Sequence, residues 1–299
     1  NTLNAISQLE ILQGKSVNLM FEKSMIMEEL NDIDEAIKIL IEAHNPDSAD
    51  INIVKRIVSL YLETEKLVDA EIFNQILLNQ FSDDPSGYIN AAIISLNNKS
   101  PAKAIEYLKP NILKYKDNYS ALYLLGTSYF QMKELSSAEK YLSQSLEIYP
   151  QSRSSQHTLA MIYDQTGQWI KSDSIYLNLI KTDTTDAQAY NNFAYSLVER
   201  NANLELALEM SLIANKIEPK SAPYLDTLGW IYYRLEQYEK ALEYVHESYS
   251  LDKNNPVIVE HLADILKATN QLSKANLIYL QAINVGADSL LIKKKMLVE

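Results

Sequence analysis

Small residues recur along this chain at a spacing of 34. From Gly229, one step back of 35 and then steps of 34 reach Ala194, Ala160, Gly126, Ala92, Val58 and Ser24, and one step forward reaches Ala263. A second ladder runs through Ala36, Ala70, Ala104, Ala138, Ser172, Ala207, Ala241 and Ala275. Each ladder takes a single step of 35 at the same place, so one residue is inserted in the turn around "ERNANLE", Glu199 to Glu205. Self-similarity at a fixed period in this range marks an architecture built from stacked supersecondary units.

The spacing within one period has a physical reading. In "YLDTLGWIYYRLEQYEKALEYV", Tyr224 to Val245, Leu228 and Tyr232 lie on one helical face. Tyr238, Ala241, Leu242 and Val245 lie on another, after the polar turn "RLEQY". Two helices joined by so short a turn must run antiparallel. A large side chain at their closest approach would hold them apart, so each helix needs one small residue there, and Gly229 and Ala241 are those residues. A lone hairpin leaves an apolar face uncovered, so successive hairpins stack and share a core.

Composition narrows the function. An apolar fraction of 47% fits a folded protein. With no cysteine, disulfides, thiol catalysis and cysteine-ligated zinc are excluded. A net charge of −12 argues against a phosphate-tracking surface and hence against nucleic acid as a partner. No apolar stretch is long enough to span a bilayer, so direct membrane insertion is not expected. Six glycines and eight prolines over the whole length argue against a turn-rich β fold. No phosphate loop, dinucleotide fingerprint or serine elbow is present. His44, His157, His246 and His261 fall in different repeats without metal-ligand spacing, so neither metal nor cofactor is expected. Carboxylate pairs such as Glu28 and Glu29 read as ordinary surface.

The segment "LLGTSYFQMKELSSAEKYLSQSLEIYP", Leu124 to Pro150, resembles the tetratricopeptide repeat family at Leu125, Gly126, Tyr129, Ala138 and Pro150, with Leu142 at the usual aromatic position. The resemblance implies an all-α, right-handed solenoid of eight repeats, at 17–50, 51–84, 85–118, 119–152, 153–186, 187–221, 222–255 and 256–287. The first copy departs from the pattern at Lys23 and Ser24, and the third carries Pro110 inside its second helix, where a kink is expected. "AYNNFAYSLVER" followed by "YLDTLGWIYYRL" is similar to the closing repeats of bacterial members of the family, often envelope-associated. Periplasm, envelope and cytoplasm all fit a cysteine-free chain, and this second resemblance tilts the choice to the envelope.

"LNAISQLEILQG", Leu3 to Gly14, falls in register as the second helix of a preceding repeat (1–16), with Ile6 and Leu9 at packing positions and Gly14 as its stop. Starting at Asn1 without a methionine or signal peptide, the sequence reads as a processed or trimmed product whose array began earlier. At the other end, "ADSLLIKKKMLVE" reads as a capping helix (288–299). Leu290, Leu291 and Met296 are expected to cover the last hairpin while Lys293, Lys294 and Lys295 face water.

The resemblance also implies a binding surface. First helices of the family line the concave side, and carried over position by position the inward stripe holds Tyr123, Thr127, Phe130, His157, Met161, Asp164, Asn191, Tyr195, Asp226, Trp230, Tyr233, Arg234, Glu260 and Asp264. Aromatics with scattered polar groups suit an extended peptide or a helix laid in a groove. For Phe130, Trp230 or Tyr233 taken singly, packing between adjacent first helices is an equal alternative. Asn90 and Asn192 resemble family positions that hydrogen-bond a bound backbone. Positions matching the family's chaperone carboxylate clamp are Lys55, Ser59, Asn90, Ser120 and Leu124, of which only Lys55 and Asn90 fit, so that ligand is excluded. Asp226, Glu260 and Asp264 point to a partner protein or peptide with Lys or Arg. The expected function is therefore a non-catalytic interaction scaffold. Self-association through the convex face or array ends, and a regulatory fragment of a larger enzyme, stay open.

Overall fold

Antiparallel helical hairpins, each closed by a short turn, make up the computed structural model, which describes residues 14, 16–46 and 48–297. Seventeen α-helices and no strand occur among the described residues. The hairpins are α1 (Val17–Glu29) with α2 (Ile33–Ala43), α3 (Ile51–Glu63) with α4 (Leu67–Gln80), α5 (Ser86–Asn97) with α6 (Pro101–Leu108), and α7 (Tyr119–Gln131) with α8 (Leu135–Ile148). They continue as α9 (Arg153–Gln165) and α10 (Trp169–Thr182), α11 (Ala187–Glu199) and α12 (Leu204–Ile217), α13 (Ala222–Arg234) and α14 (Tyr238–Leu251), and α15 (Pro256–Ala268) and α16 (Leu272–Asn284), before the short α17 (Ser289–Leu297). The chain divides into two compact units, Asn1–Thr158 and Leu159–Glu299, with the division inside α9.

Each hairpin begins and turns by local chemistry. Asp50, Asn118, Asp186 and Asn255 cap first helices, their side chains accepting from backbone N–H groups of the opening turn. At each turn the chain enters the left-handed region, at Asn31, Glu65, Lys99, Lys133, Gly167, Asn201, Glu236 and Asn270. The following N–H then reaches back five residues, as from Gln237 to the Tyr232 carbonyl at 2.9 Å, which satisfies a carbonyl that the helix end would leave open. In the sixth turn Ala202 stands between the left-handed Asn201 and the helix-capping Asn203, which is itself left-handed with φ 45°. Ala202 is thus the extra residue seen in both ladders.

Every ladder residue is buried, Ser24, Val58, Ser172 and Ala241 at 0% exposure. A β-carbon added at Gly229 would lie 3.0 Å from the Val245 backbone nitrogen and 3.1 Å from the Ala241 carbonyl oxygen. Backbone, not just side chain, closes on the glycine. Around this contact Leu228, Tyr232, Val245, Val259, Leu262 and Tyr279 form one core of the second unit. In the first unit Leu40, Ile53, Val54, Ile57 and Leu77 form another.

Three expectations change. Pro110 does not kink α6 but ends it: the helix stops at Leu108 and gives way to a 3₁₀ turn, Lys109–Asn111, because proline has no N–H to continue the ladder. In α17 the side chain that covers the last hairpin is Ile292, at 0% exposure, with Met296 packed beside it, whereas Leu290 and Leu291 are exposed at 72% and 49%. Lys293 and Lys294 face solvent, but Lys295 turns inward. The segment Leu3 to Gln13, read as a preceding helix, lies outside the described residues.

Candidate functional site

First helices supply the stripe, and their side chains differ in availability. In the first unit Tyr123, Thr127 and Phe130 are half-buried on α7. Tyr123 stacks on Tyr119 at 5.8 Å, and Tyr119 in turn meets Tyr149 edge-on and shares a 2.5 Å hydrogen bond with Ser152. Thr127 has a buried hydroxyl oxygen without a hydrogen-bond partner. His157 is buried. Lys55, one of the two clamp-compatible positions, is engaged by Asp84 at 2.7 Å, and Ser59 donates to Glu63 at 2.8 Å.

The second unit brings more of the stripe together. Consecutive first helices α11, α13 and α15 lie side by side, and one side-chain bond joins each to the next. The Trp230 indole N–H on α13 donates to Glu199 of α11 at 2.9 Å. Asp226 of α13 meets the His261 ring nitrogen Nδ1 of α15 at 2.9 Å, both side chains buried. Trp230 also lies on His261 with ring centroids 4.0 Å apart, and Tyr233 stacks on Trp230 with centroids 4.6 Å apart. Earlier in the unit, Asp164 accepts from Ser196 at 2.7 Å and from Tyr176 at 2.9 Å.

This arrangement corrects the expected roles of the acids. Asp226 is buried against His261 and is not offered to solvent, although its second oxygen has no hydrogen-bond partner. Asp164 has both oxygens engaged. Asp264 accepts from the Tyr279 hydroxyl at 2.5 Å, and Glu260 and Asp264 together hold the Lys295 ammonium at 2.6 and 2.5 Å. Asn191 is buried, its amide directed to Asn192 at 3.5 Å, while Asn192, Met161, Tyr195, Trp230, Tyr233 and Arg234 keep partial exposure. A cavity of about 590 Å³ opens among Trp230, Tyr233, Asp264, Tyr279 and Lys295.

Electrostatics follow from this crowding of acids. Burial raises the Tyr195 hydroxyl well above the usual phenol range, and Glu199, Asp226 and Glu260 add to it. Burial pulls His261 down, but the charge and hydrogen bond of Asp226 outweigh it, so the imidazole titrates above its ordinary value. Burial likewise opposes the charge on Lys295, and Asp264 and Glu260 more than restore it.

Glu199, His261 and Lys295 bond directly to stripe residues, and reading the stripe alone misses them. Their signal is separation: Glu199 and Trp230 are 31 residues apart, Asp226 and His261 are 35 apart, and so are Glu260 and Lys295. In a 34-residue period those offsets place complementary side chains on facing positions of consecutive first helices, and of α15 and α17 in the case of Lys295.

Stacked antiparallel hairpins of two helices, repeated at this period with small residues at the crossing points, define a helical-repeat protein. The tetratricopeptide repeat family model matches residues 91–285, and the chain belongs to that family, whose members generally mediate protein–protein interaction. Among relatives, the type IV pilus assembly protein PilF of Pseudomonas aeruginosa is 26% identical over 144 residues, 48% of this chain and 57% of that protein. The human protein O-mannosyl-transferase TMTC3 is 22% identical over 218 residues, 71% of this chain and 24% of that one. The chain therefore spans less than two thirds of the length of either relative. The crystal structure of the APC/C hetero-tetramer Cut9–Hcn1 superposes with a TM-score of 0.70 at 13% identity, over 99% of this chain and 58% of that one. No helix among the described residues is long and apolar enough to cross a membrane, and no cluster of metal-ligating side chains occurs among them.

Proposed function

We propose that the chain is a non-catalytic scaffold that binds a partner segment on the face formed by first helices α11, α13 and α15. The observation that carries this reading is the pair of stacked, half-exposed aromatics Trp230 and Tyr233 at the edge of the 590 Å³ cavity whose acidic wall is Asp264. Aromatic anchors beside a charged group are the combination that dominates binding energy at interfaces. Carboxylates there, on a chain of net charge −12, select a partner with Lys or Arg. Similarity to a pilus assembly protein supports a bacterial envelope setting for such a scaffold.

The test is to identify partners by pull-down and mass spectrometry, then measure direct binding of one partner to the wild type and to a Tyr195→Ala, Trp230→Ala variant. Affinity is expected to fall by roughly 2 kcal/mol or more. A folded variant that binds normally would move the functional surface elsewhere. The second reading, association through the array end, is favoured by Leu277, Leu280, Leu290 and Leu291, all exposed on α16 and α17. Concentration-dependent light scattering that Leu290→Glu abolishes would select it.

A further inference from the structure

The acidic wall of the cavity already holds a cation, and the chain itself provides it. Glu260 and Asp264 stand one helical turn apart on α15, so their carboxylates share a face. Side by side they would repel, and both bond to the single ammonium of Lys295. Its side chain lines the same cavity as Trp230 and Tyr233, so the ammonium sits on an apolar stem beside two aromatic residues. The side chain seen there is therefore the kind a basic partner would insert.

The element that carries this lysine is weakly held. Helix α17 has nine residues, too few to be stable as a helix alone. Its fully buried side chain is Ile292, while Leu290, Leu291, Lys293 and Lys294 point to solvent. Among its described side chains, Ile292 and the partly buried Met296 pack on the last hairpin, and Lys295 adds its bonds to the two carboxylates and its backbone carbonyl, which accepts from Lys267 at 2.5 Å.

We infer that α17 is a tethered occupant of the binding face: Lys295 fills the Glu260 and Asp264 site as a Lys or Arg of the partner would, and the partner binds by displacing it. The inference rests on the scaffold reading above and adds its regulation. A tethered group acts at an effective concentration in the millimolar range, so it masks the site against weak basic ligands and yields to one that also engages the aromatics.

The test uses fluorescein-labelled pentalysine as probe, with fluorescence polarisation on the full chain at fixed salt. Lys295→Met removes the competing ammonium, and Ile292→Ser loosens α17 while leaving Lys295 in place. Either is expected to tighten pentalysine binding at least about tenfold, and adding Glu260→Gln with Asp264→Asn to Lys295→Met is expected to abolish the gain. If both single variants fold, by circular dichroism, and bind no tighter than the wild type, Lys295 is a structural clamp and the inference falls. A gain that survives loss of the two carboxylates would mean general attraction to an acidic surface, and would overturn it too. Wild-type binding that Trp230→Ala removes but Lys295→Met leaves unchanged would sink the tethered occupant while sparing the scaffold reading.

Discussion

The Trp230 indole lies flat on the His261 imidazole, ring centroids 4.0 Å apart and planes 7° from parallel, while the imidazole nitrogen Nδ1 meets the buried Asp226 carboxylate at 2.9 Å. One side chain of α15 is thus held from above by a π face and from the side by an anion, both from α13. The stack leaves the ring edge free for Asp226, which is why a lone histidine can be buried among carboxylates and be stabilised there.

That geometry makes stability depend on pH in a stated direction. His261 titrates above its ordinary value because Asp226, and more distantly Asp264 and Glu199, outweigh the cost of burial. A raised folded-state pKa contributes stability that is fully present below the unfolded value, about 6.5. It is lost as pH rises through the higher folded value. The melting temperature of the wild type is therefore expected to exceed that of His261→Gln by more at pH 6 than at pH 9. A difference that stays constant over that range would show that His261 does not change charge with folding.

Packing at the hairpin crossing predicts a second outcome. Because Val245 backbone and the Ala241 carbonyl close on Gly229, a bulky replacement cannot be absorbed by a rotamer change. Gly229→Leu or Ala241→Leu is expected to destabilise by about 1 to 3 kcal/mol, with the loss shared by adjoining hairpins. Chemical denaturation of both variants checks this, and unchanged midpoints would mean that the crossing lies elsewhere.

The hairpin stack was legible because sterics at a helix crossing act on one residue per helix, and a fixed period exposes that demand as the Gly229 and Ala241 ladders. The end of α17 was not. A nine-residue helix without a small-residue marker can rotate its apolar face, and only tertiary packing chooses Ile292 over Leu290 and Leu291. At the candidate site the acids of α15 were visible on the expected stripe, yet their occupant was not. Three successive lysines near a helix C-terminus look like a solvated run, and nothing local distinguishes Lys295 from Lys293. Pro110 predicts a kink and the helix instead stops, because whether a helix bends or ends depends on what the following residues can pack against.

Turn conformation predicts a stabilising change. Glu236 holds a left-handed φ of 59°, a conformation that costs a residue with a β-carbon roughly 1 kcal/mol and glycine nothing. At the equivalent place in the fifth turn the sequence has Gly167, with φ 71°. Glu236→Gly is expected to raise stability by up to about 0.5 kcal/mol after the greater chain entropy of glycine is subtracted. A melting temperature below that of the wild type would refute it.

Ala202 allows the insertion itself to be tested. In seven turns the left-handed residue is followed at once by the residue that caps the second helix, as Glu236 is by Gln237. In the sixth, Ala202 intervenes, and Asn203 reaches the capping position only by adopting a second left-handed conformation, φ 45° and ψ 66°, in place of the φ of −89° seen at Gln237. Deleting Ala202 restores the common spacing. Asn203 would then take over the hydrogen bond that the Ala202 N–H now donates to the Leu197 carbonyl at 2.9 Å, and its side chain would remain near Leu206, whose N–H it accepts at 3.2 Å. The deletion removes one left-handed residue, worth about 1 kcal/mol, and sacrifices the packing of one partly buried methyl group, worth about as much. The expected result is a folded protein within about 1 kcal/mol of the wild type. Deleting Ala207 instead shifts the phase of α12 and turns its buried face, and that variant is expected to lose its cooperative transition. If removing Ala202 is as damaging as removing Ala207, the extra residue is required by the packing around it and is no simple interruption of the period.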